Sequence, residues 1–334
     1  MTKKLMNGAD DIIEQMLAGI VAAHPEHVRL LPENGRSIVA VNGPRAGKVG
    51  VIVGGGSGHE PAFLGYVGRG LADGAAVGNP FASPGPAPVV EATKAVNGGR
   101  GVVYLYGNYA GDCMNFDMAA ELCTLDDIET QTVLVTDDVA SAPSAEVHLR
   151  RGVAGGFFVF KIAGAAADQG RDLAGVVAVA RKANAAVRTM GVAIAPCSLP
   201  NTLVENFHLG PDEIELGIGI HGEPGVEKGP MRSADAIADR LLDAVLAELD
   251  TPPGTRVAVL VNGMGGTPLM ELYVVANRVL GRLRERDLQI HRTWVGNYVT
   301  AMEMAGCSIT VFVLDDELQA LLDHPADCVM FRAN

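Results

Sequence analysis

Short apolar runs that stop at glycine or acidic loops recur along this chain of 334 residues, and few architectures accommodate such a pattern. The run 49–53 enters Gly54-Gly-Gly-Ser-Gly-His-Glu-Pro61, 102–106 enters Gly107-Asn-Tyr-Ala-Gly-Asp112, and 132–135 ends at Asp137-Asp138. Segments with helical spacing of apolar residues lie between or after them, at 10–23, 89–96, 115–122, 155–167 and 173–188. Later come strand-like runs at 192–194, 214–220, 257–261 and 309–314, with helical stretches at 233–249 and from 268 to about 286. Strands alternating with helices indicate an α/β fold with mostly parallel sheets. The expectation is two domains, 1–188 and 189–334, each with an open, mostly parallel sheet flanked by helices. The active site is expected in the cleft between them.

Composition narrows the class. Hydrophobic residues at 48% and charged residues at 19% describe an ordered globular chain. A formal charge of −13 argues against nucleic acid or an anionic membrane as partner, because an acidic surface releases no counterions from either. No apolar run approaches the ~20 residues of a membrane helix. The start, Met1-Thr-Lys-Lys-Leu-Met6, lacks the apolar core of a signal peptide. Five cysteines, Cys113, Cys123, Cys197, Cys307 and Cys328, form no C-x-x-C pair, so a reduced, cytoplasmic enzyme is expected. His24-Pro-Glu-His27 has a metal-like composition, but Pro25 breaks the helix that would align the rings; the expectation is a solvated helix end and no metal.

The chemistry-bearing groups sit where strands end. The run 214–220 reads as a buried strand that delivers His221 into Gly222-Glu-Pro-Gly225, backbone that lets a ligand approach closely. Gly217-x-Gly219-x-x-Gly222 fits a dinucleotide pattern in spacing only, since Glu223-Pro224 stands where a helix should open. Gly43-Pro-Arg-Ala-Gly-Lys48 is one residue short of a phosphate loop and lacks the Ser/Thr that would hold magnesium. No nucleotide site is credible. What remains is a glycine-lined set, Gly56, Ser57, Gly58, His59, Asp112 and His221, able to bind and deprotonate a small polyhydroxy compound.

Several motifs together resemble the substrate-binding portion of the dihydroxyacetone kinase family. They are Gly54-Gly-Gly-Ser-Gly-His-Glu-Pro61, Phe81-Ala-Ser-Pro84, Asn108-Tyr-Ala-Gly-Asp112 with Asn115-Phe116, Arg150-Arg-Gly-Val-Ala154, Gly219-Ile-His-Gly-Glu-Pro-Gly225 and Thr267-Pro-Leu-x-Glu-Leu-Tyr273. The resemblance implies that His221 adds to a ketone to give a covalent hemiaminal, which selects ketoses over glycerol. It assigns His59 and Asp112 to the substrate hydroxyls, with Asp112 the base for the phosphoryl-accepting hydroxyl. Glu223 can orient the imidazole or stabilise the turn; the sequence leaves both open. Family kinases use an all-helical nucleotide-binding domain, and this chain stops at Asn334 without one. The expected partners are therefore a helical kinase subunit carrying nucleotide and magnesium, and a second copy in a homodimer. The phosphoryl donor is ATP or a phosphotransferase relay.

Gly107 stands where dihydroxyacetone-specific members carry a lysine before the Asn-Tyr of the Asp112 loop. Its loss removes a hydroxyl donor and opens space, so a four-carbon ketose such as erythrulose becomes the alternative to dihydroxyacetone. Two other classes compete: a ketose-binding sensor that never transfers phosphate, and a nicotinamide oxidoreductase resting on Gly217-x-Gly219-x-x-Gly222 alone.

Overall fold

The computed structural model describes residues 3–333; Met1, Thr2 and Asn334, at the outer ends of the two expected domains, lie outside the described residues. In chain order the elements begin with α1 (Ile12–Ala23), β1 (Val28–Leu30), β2 (Ser37–Ala40), β3 (Gly50–Ser57), β4 (Gly68–Arg69) and β5 (Gly74–Pro80). α2 (Pro86–Val96), β6 (Val102–Gly107), α3 (Ala110–Thr124), β7 (Thr130–Val135), α4 (Gly156–Asp168), α5 (Leu173–Ala186) and β8 (Val187–Ala195) follow. Then come β9 (Glu213–Leu216), β10 (Glu227–Pro230), α6 (Ala234–Leu246), β11 (Arg256–Gly263), α7 (Leu269–Glu285), β12 (Gln289–Asn297) and β13 (Ala305–Leu314). The last are α8 (Asp316–Leu322), β14 (Ala326–Cys328) and β15 (Arg332–Ala333).

Two compact units result, and they are not the single cut at residue 188. One contains Lys4–Val135, Phe158–Ala183 and the chain from Leu318 onward; the other contains Thr136–Phe157 and Asn184–Glu317. Pairing explains the exchange. Asp138 bridges Thr189 in β8, which draws the segment after β7 into the second unit. At the far end β14 pairs with β4 and returns the chain to the first.

In the first unit a six-stranded sheet has the order β1-β2-β5-β3-β6-β7. Strands β5, β3, β6 and β7 run parallel, while β1 and β2 are antiparallel additions at one edge. From β3 the chain goes to β5 on one side, then through α2 to β6 on the other. Strand order thus reverses beside β3, and ligands of such sheets bind outside the carboxyl ends at a reversal of this kind. Ile52, Val89, Val96, Tyr104, Tyr106 and Phe116 form a buried cluster with α2 and α3, and Tyr106 stacks on Phe116 at 4.2 Å.

The second unit corrects the expected topology. Its sheet, β10-β9-β8-β13-β11-β12, is parallel only between β11 and β12; the other pairings are antiparallel. The physical reason is connection length. α7 supplies the crossover a parallel pair requires, whereas β12 reaches β13 through residues 298–304, too short for one. Strand β13 therefore inserts between β8 and β11, antiparallel to both. Arg150, fully buried, donates to both carboxylate oxygens of Glu248 at 2.5 and 2.7 Å and to the Ala142 carbonyl at 2.8 Å. That fork pins the segment leading to Arg151.

Candidate active site

Gly54, Gly55 and Gly56 are expected from sequence as loop residues, but they lie within β3, which is buried along its whole length. Their role is close approach rather than turning. A Cβ on Gly54 would lie 2.8 Å from the Ala76 carbonyl oxygen and from the Phe116 ring; on Gly55, 2.5 Å from the Phe63 ring; on Gly56, 2.6 Å from the Ala82 nitrogen. Three side-chain-free residues thus admit a neighbouring strand, two phenyl rings and the Phe81–Ala82 backbone.

His59 sits in what this packing creates. It is 1% exposed, stacked on Phe81 (centroids 4.9 Å, planes 13° apart) and met edge-on by Phe63 at 6.3 Å. Phe63 and Phe81 have φ of 66° and 56°, a left-handed conformation that costs a bulky residue ~1–3 kcal/mol and concentrates at functional sites. The surrounding contacts hold both, and the two rings fix the imidazole plane. The Ser57 hydroxyl donates to the Gly78 carbonyl at 2.7 Å. The Gly58 N–H donates to the Glu60 carboxylate at 3.0–3.1 Å. Both donors are thus engaged within the protein, Ser57 to β5 and Gly58 within its own loop.

Asp112 lies on a helix rather than in a loop. α3 starts five residues earlier than the periodicity implies, with Tyr109 as its first flanking residue, and Asp112 occupies the first turn, 8% exposed. The partial positive charge of a helix N-terminus favours a carboxylate there. Gly107 ends β6, paired with Val135 of β7. The carboxyl ends of β3, β5 and β6 therefore bring Ser57, His59, Phe81, Gly107 and Asp112 to one edge of one sheet.

His221 belongs to the second unit, and the structure corrects its setting. β9 stops at Leu216, and Gly217 (φ 79°) turns the chain; His221 lies near the middle of the connection from β9 to β10, not at a strand end. The loop is tied by side chains. Arg151 donates to the Asp138 carboxylate at 2.9 Å and to the Gly217 carbonyl at 3.0 Å. Asn206 donates to the His221 carbonyl at 2.9 Å. Burial pushes the Asp138 carboxyl up to about 6 despite the opposing pull of Arg151.

Glu223 is the decisive partner. Its Oε1 lies 2.8 Å from Nδ1 of His221, and its Oε2 accepts the His221 backbone N–H at 2.9 Å. Burial alone would raise this carboxyl, but the imidazole and the backbone donors outweigh it and hold Glu223 down at about 2. An ionised carboxylate accepts and cannot donate, so the proton of a neutral imidazole stays on Nδ1 and the lone pair is on Nε2. His221 has 22% of its side chain exposed, and the Glu223 carboxylate fixes the tautomer of its neutral form.

The two phosphate-like loops are otherwise employed. Lys48 Nζ pairs with Asp73 at 2.5 Å and donates to the Val49 carbonyl. The chain after Gly222 enters the extended strand β10, with no helix N-terminus to face a pyrophosphate. Phe63, Asn206 and the Arg151–Asp138 pair escaped functional notice in the sequence. Arg151 lay inside a motif quoted above, but nothing local to Phe63 or Asn206 announces its part.

The Dak1 domain model matches residues 18–330. PTS-dependent dihydroxyacetone kinase 2, dihydroxyacetone-binding subunit DhaK, of Listeria innocua is 47% identical over 332 residues, covering 99% of this chain and 100% of that protein. The D-erythrulose kinase of Mycolicibacterium smegmatis is 46% identical over 329 residues, or 98% of this chain and 56% of that protein. Among solved structures, the dihydroxyacetone kinase of C. freundii in its native form superposes with TM-score 0.92 at 31% identity, covering 100% of this chain and 61% of that one. The dihydroxyacetone kinase operon co-activator Dha-DhaQ superposes with TM-score 0.88 at 31% identity, covering 96% and 98%. The chain thus spans little more than half of the two kinases and nearly the whole of the subunit and the co-activator. Its glycine-packed β3, its His221–Glu223 loop and this run of matches agree: the chain belongs to the dihydroxyacetone kinase family, of which it carries the Dak1 domain.

Proposed function

We propose that this chain captures a short ketose covalently on His221 and presents its hydroxyl for phosphorylation by a nucleotide-bearing partner. The enzyme class is a phosphotransferase with an alcohol acceptor. The observation that carries the proposal is the His221–Glu223 pair. Nε2 attacks the ketone carbon, the N–C bond forms, and the carbonyl π electrons move to oxygen, which takes up a proton. The positive charge that develops on the imidazole is offset by Glu223, toward which the Nδ1 proton moves; the net result is N–H addition across C=O. Glycerol lacks the carbonyl and is not captured.

His59 and Asp112 then act on the substrate hydroxyls, Asp112 accepting the proton of the hydroxyl that attacks phosphorus. Nucleotide and magnesium are supplied by a helical partner subunit, which the prior use of Lys48 by Asp73 supports. The relative covered over its full length is itself named a subunit. A homodimer completes the proposed assembly. The test is mass spectrometry of the chain with dihydroxyacetone or erythrulose, followed by turnover after adding a helical kinase subunit and ATP or its phosphotransferase relay. Capture should need His221 alone of these additions, and turnover should need the partner.

A second reading rests on a specific likeness. The co-activator Dha-DhaQ matches over nearly its whole length, so a sensor that captures ketose without transferring phosphate would use the same fold. Asp112 discriminates, because a pure binder has no use for a base at the reacting hydroxyl.

A further inference from the structure

The helix ends before Pro25, as expected, but the turn that replaces it brings the rings of His24 and His27 together. α1 ends at Ala23, and His24 closes it by donating its N–H to the Ile20 carbonyl. The turn that follows is held by His27 N–H to the His24 carbonyl at 3.0 Å and Val28 N–H to the same oxygen at 3.2 Å. Proline presets such a turn. It brings the two rings to 6.2 Å between centroids and places one ligand atom each from His24, Glu26 and His27 within 4.8 Å of one another.

His27 shows what the turn is suited to hold. Its Nδ1 lies 2.9 Å from Oε1 of Glu26, and its Nε2 lies 3.2 Å from Oδ1 of Asp327 in β14. A neutral imidazole has a single N–H and can donate to only one of these carboxylates. Asp327 and Glu26 thus flank the ring, one at each nitrogen. When Nε2–H is donated to Asp327, Nδ1 turns a lone pair to Glu26, and a cation seated between these two acceptors satisfies both. With metal–ligand bonds of ~2.0–2.1 Å, two ligands of one zinc-type ion stand ~2.9–3.4 Å apart. The Nδ1–Oε1 separation already has that value. A carboxylate on the distal nitrogen of a ligating histidine is also the usual orienting arrangement at such centres, and Arg332 fixes Asp327 with a donor at 2.8 Å.

We propose that His24, Glu26 and Nδ1 of His27 form a site for a divalent transition-metal ion of the zinc type, oriented by Asp327. Closing the remaining distances requires rotation of the exposed Glu26 and half-buried His24 side chains about their own bonds. The ion would link the end of α1 to the three-stranded sheet β15-β14-β4, and it is separate from the ketose-capturing groups.

The test uses the full chain stripped with a chelator, then titrated with Zn²⁺ by calorimetry and with Co²⁺ by visible absorption. One equivalent should bind, with Co²⁺ giving a low-coordinate spectrum. His24→Ala and His27→Ala should each weaken binding at least 100-fold, and Glu26→Gln about 10-fold. Asp327→Asn, which removes no ligand, should still weaken it about 10- to 100-fold. Ketose capture at His221, unchanged in these variants, verifies that they fold. Equal affinity in the parent and the two histidine variants overturns the site; an unaltered affinity in Asp327→Asn overturns the assignment of Nδ1 as ligand.

Discussion

The loop around His59 and the loop around His221 hold a histidine by opposite means. His59 is fixed by shape: three glycines in β3 leave no room for a Cβ and admit the Phe63 ring and the Phe81 backbone, and these two phenylalanines, both at positive φ, enclose the imidazole with their rings. His221 is fixed by charge and hydrogen bonds, through Glu223, Asn206 and the Arg151–Asp138 pair. Under the proposed function the difference follows from the task. A histidine that orients hydroxyls needs a rigid plane. One that becomes cationic while forming a bond needs a carboxylate preorganised to answer that charge. Damage to the first region should therefore appear chiefly in stability, and damage to the second chiefly in chemistry.

The largest expected effect is on turnover. Asp112→Asn should lower the phosphorylation rate of the reconstituted system about 10²- to 10⁴-fold, the range for losing a positioned base, while capture at His221 persists. Steady-state rates alongside the mass of the adduct check this, and equal loss of both would place Asp112 in binding instead. Next is Gly55→Ala. A methyl 2.5 Å from the Phe63 ring overpacks a closed strand and should cost about 1–3 kcal/mol, measured by denaturant unfolding. The folded fraction should still form the adduct. A full loss of capture without loss of stability would erase the contrast between the regions.

Glu223→Gln sharpens the other side. A glutamine can present either its oxygen or its NH₂ to Nδ1, so the tautomer is no longer fixed, and capture should fall about 10-fold or more. The same variant carries a pH signature. Glu223 is held at about 2 against an ordinary 4.5, so its stabilising contribution is complete above pH 4.5 and is lost as pH falls toward 2. Parent and variant should differ by about 1–2 kcal/mol at neutral pH, after allowing for solvent screening of a partly exposed group, and converge in acid. A difference independent of pH would mean that the carboxylate charge contributes nothing. Gly107→Lys is the smallest: a restored donor should shift kcat/KM from erythrulose toward dihydroxyacetone by a several-fold factor, the value of one hydroxyl hydrogen bond of about 0.5–1.5 kcal/mol.

The sequence exposed the elements whose pattern is local. β3, β6, β7, β11 and β13 were legible from β-branched runs, and α1 through α7 from spacing. It hid β5, a Gly74–Pro80 strand of alanine and glycine whose extension is imposed by the neighbours β2 and β3, and β12, whose His291, Arg292 and Thr293 read as surface. It also hid the antiparallel order of the second sheet, which depends on connection geometry rather than composition. At the candidate site, the sequence named residues but not the contacts that support them. Asn206 reaches His221 across fifteen positions, and Phe63 matters only because Gly55 lacks a side chain on another element. Contacts of this range leave no periodic trace.

The most direct test is ¹³C NMR of the chain with dihydroxyacetone labelled at its carbonyl carbon, for the parent, His221→Ala and Glu223→Gln. Covalent capture predicts that the parent moves the label from the ketone region to that of a tetrahedral carbon bonded to nitrogen, that His221→Ala abolishes this signal, and that Glu223→Gln weakens it. A bound ketose whose carbonyl resonance stays in the ketone region in the parent, or a tetrahedral signal that survives His221→Ala, would contradict it.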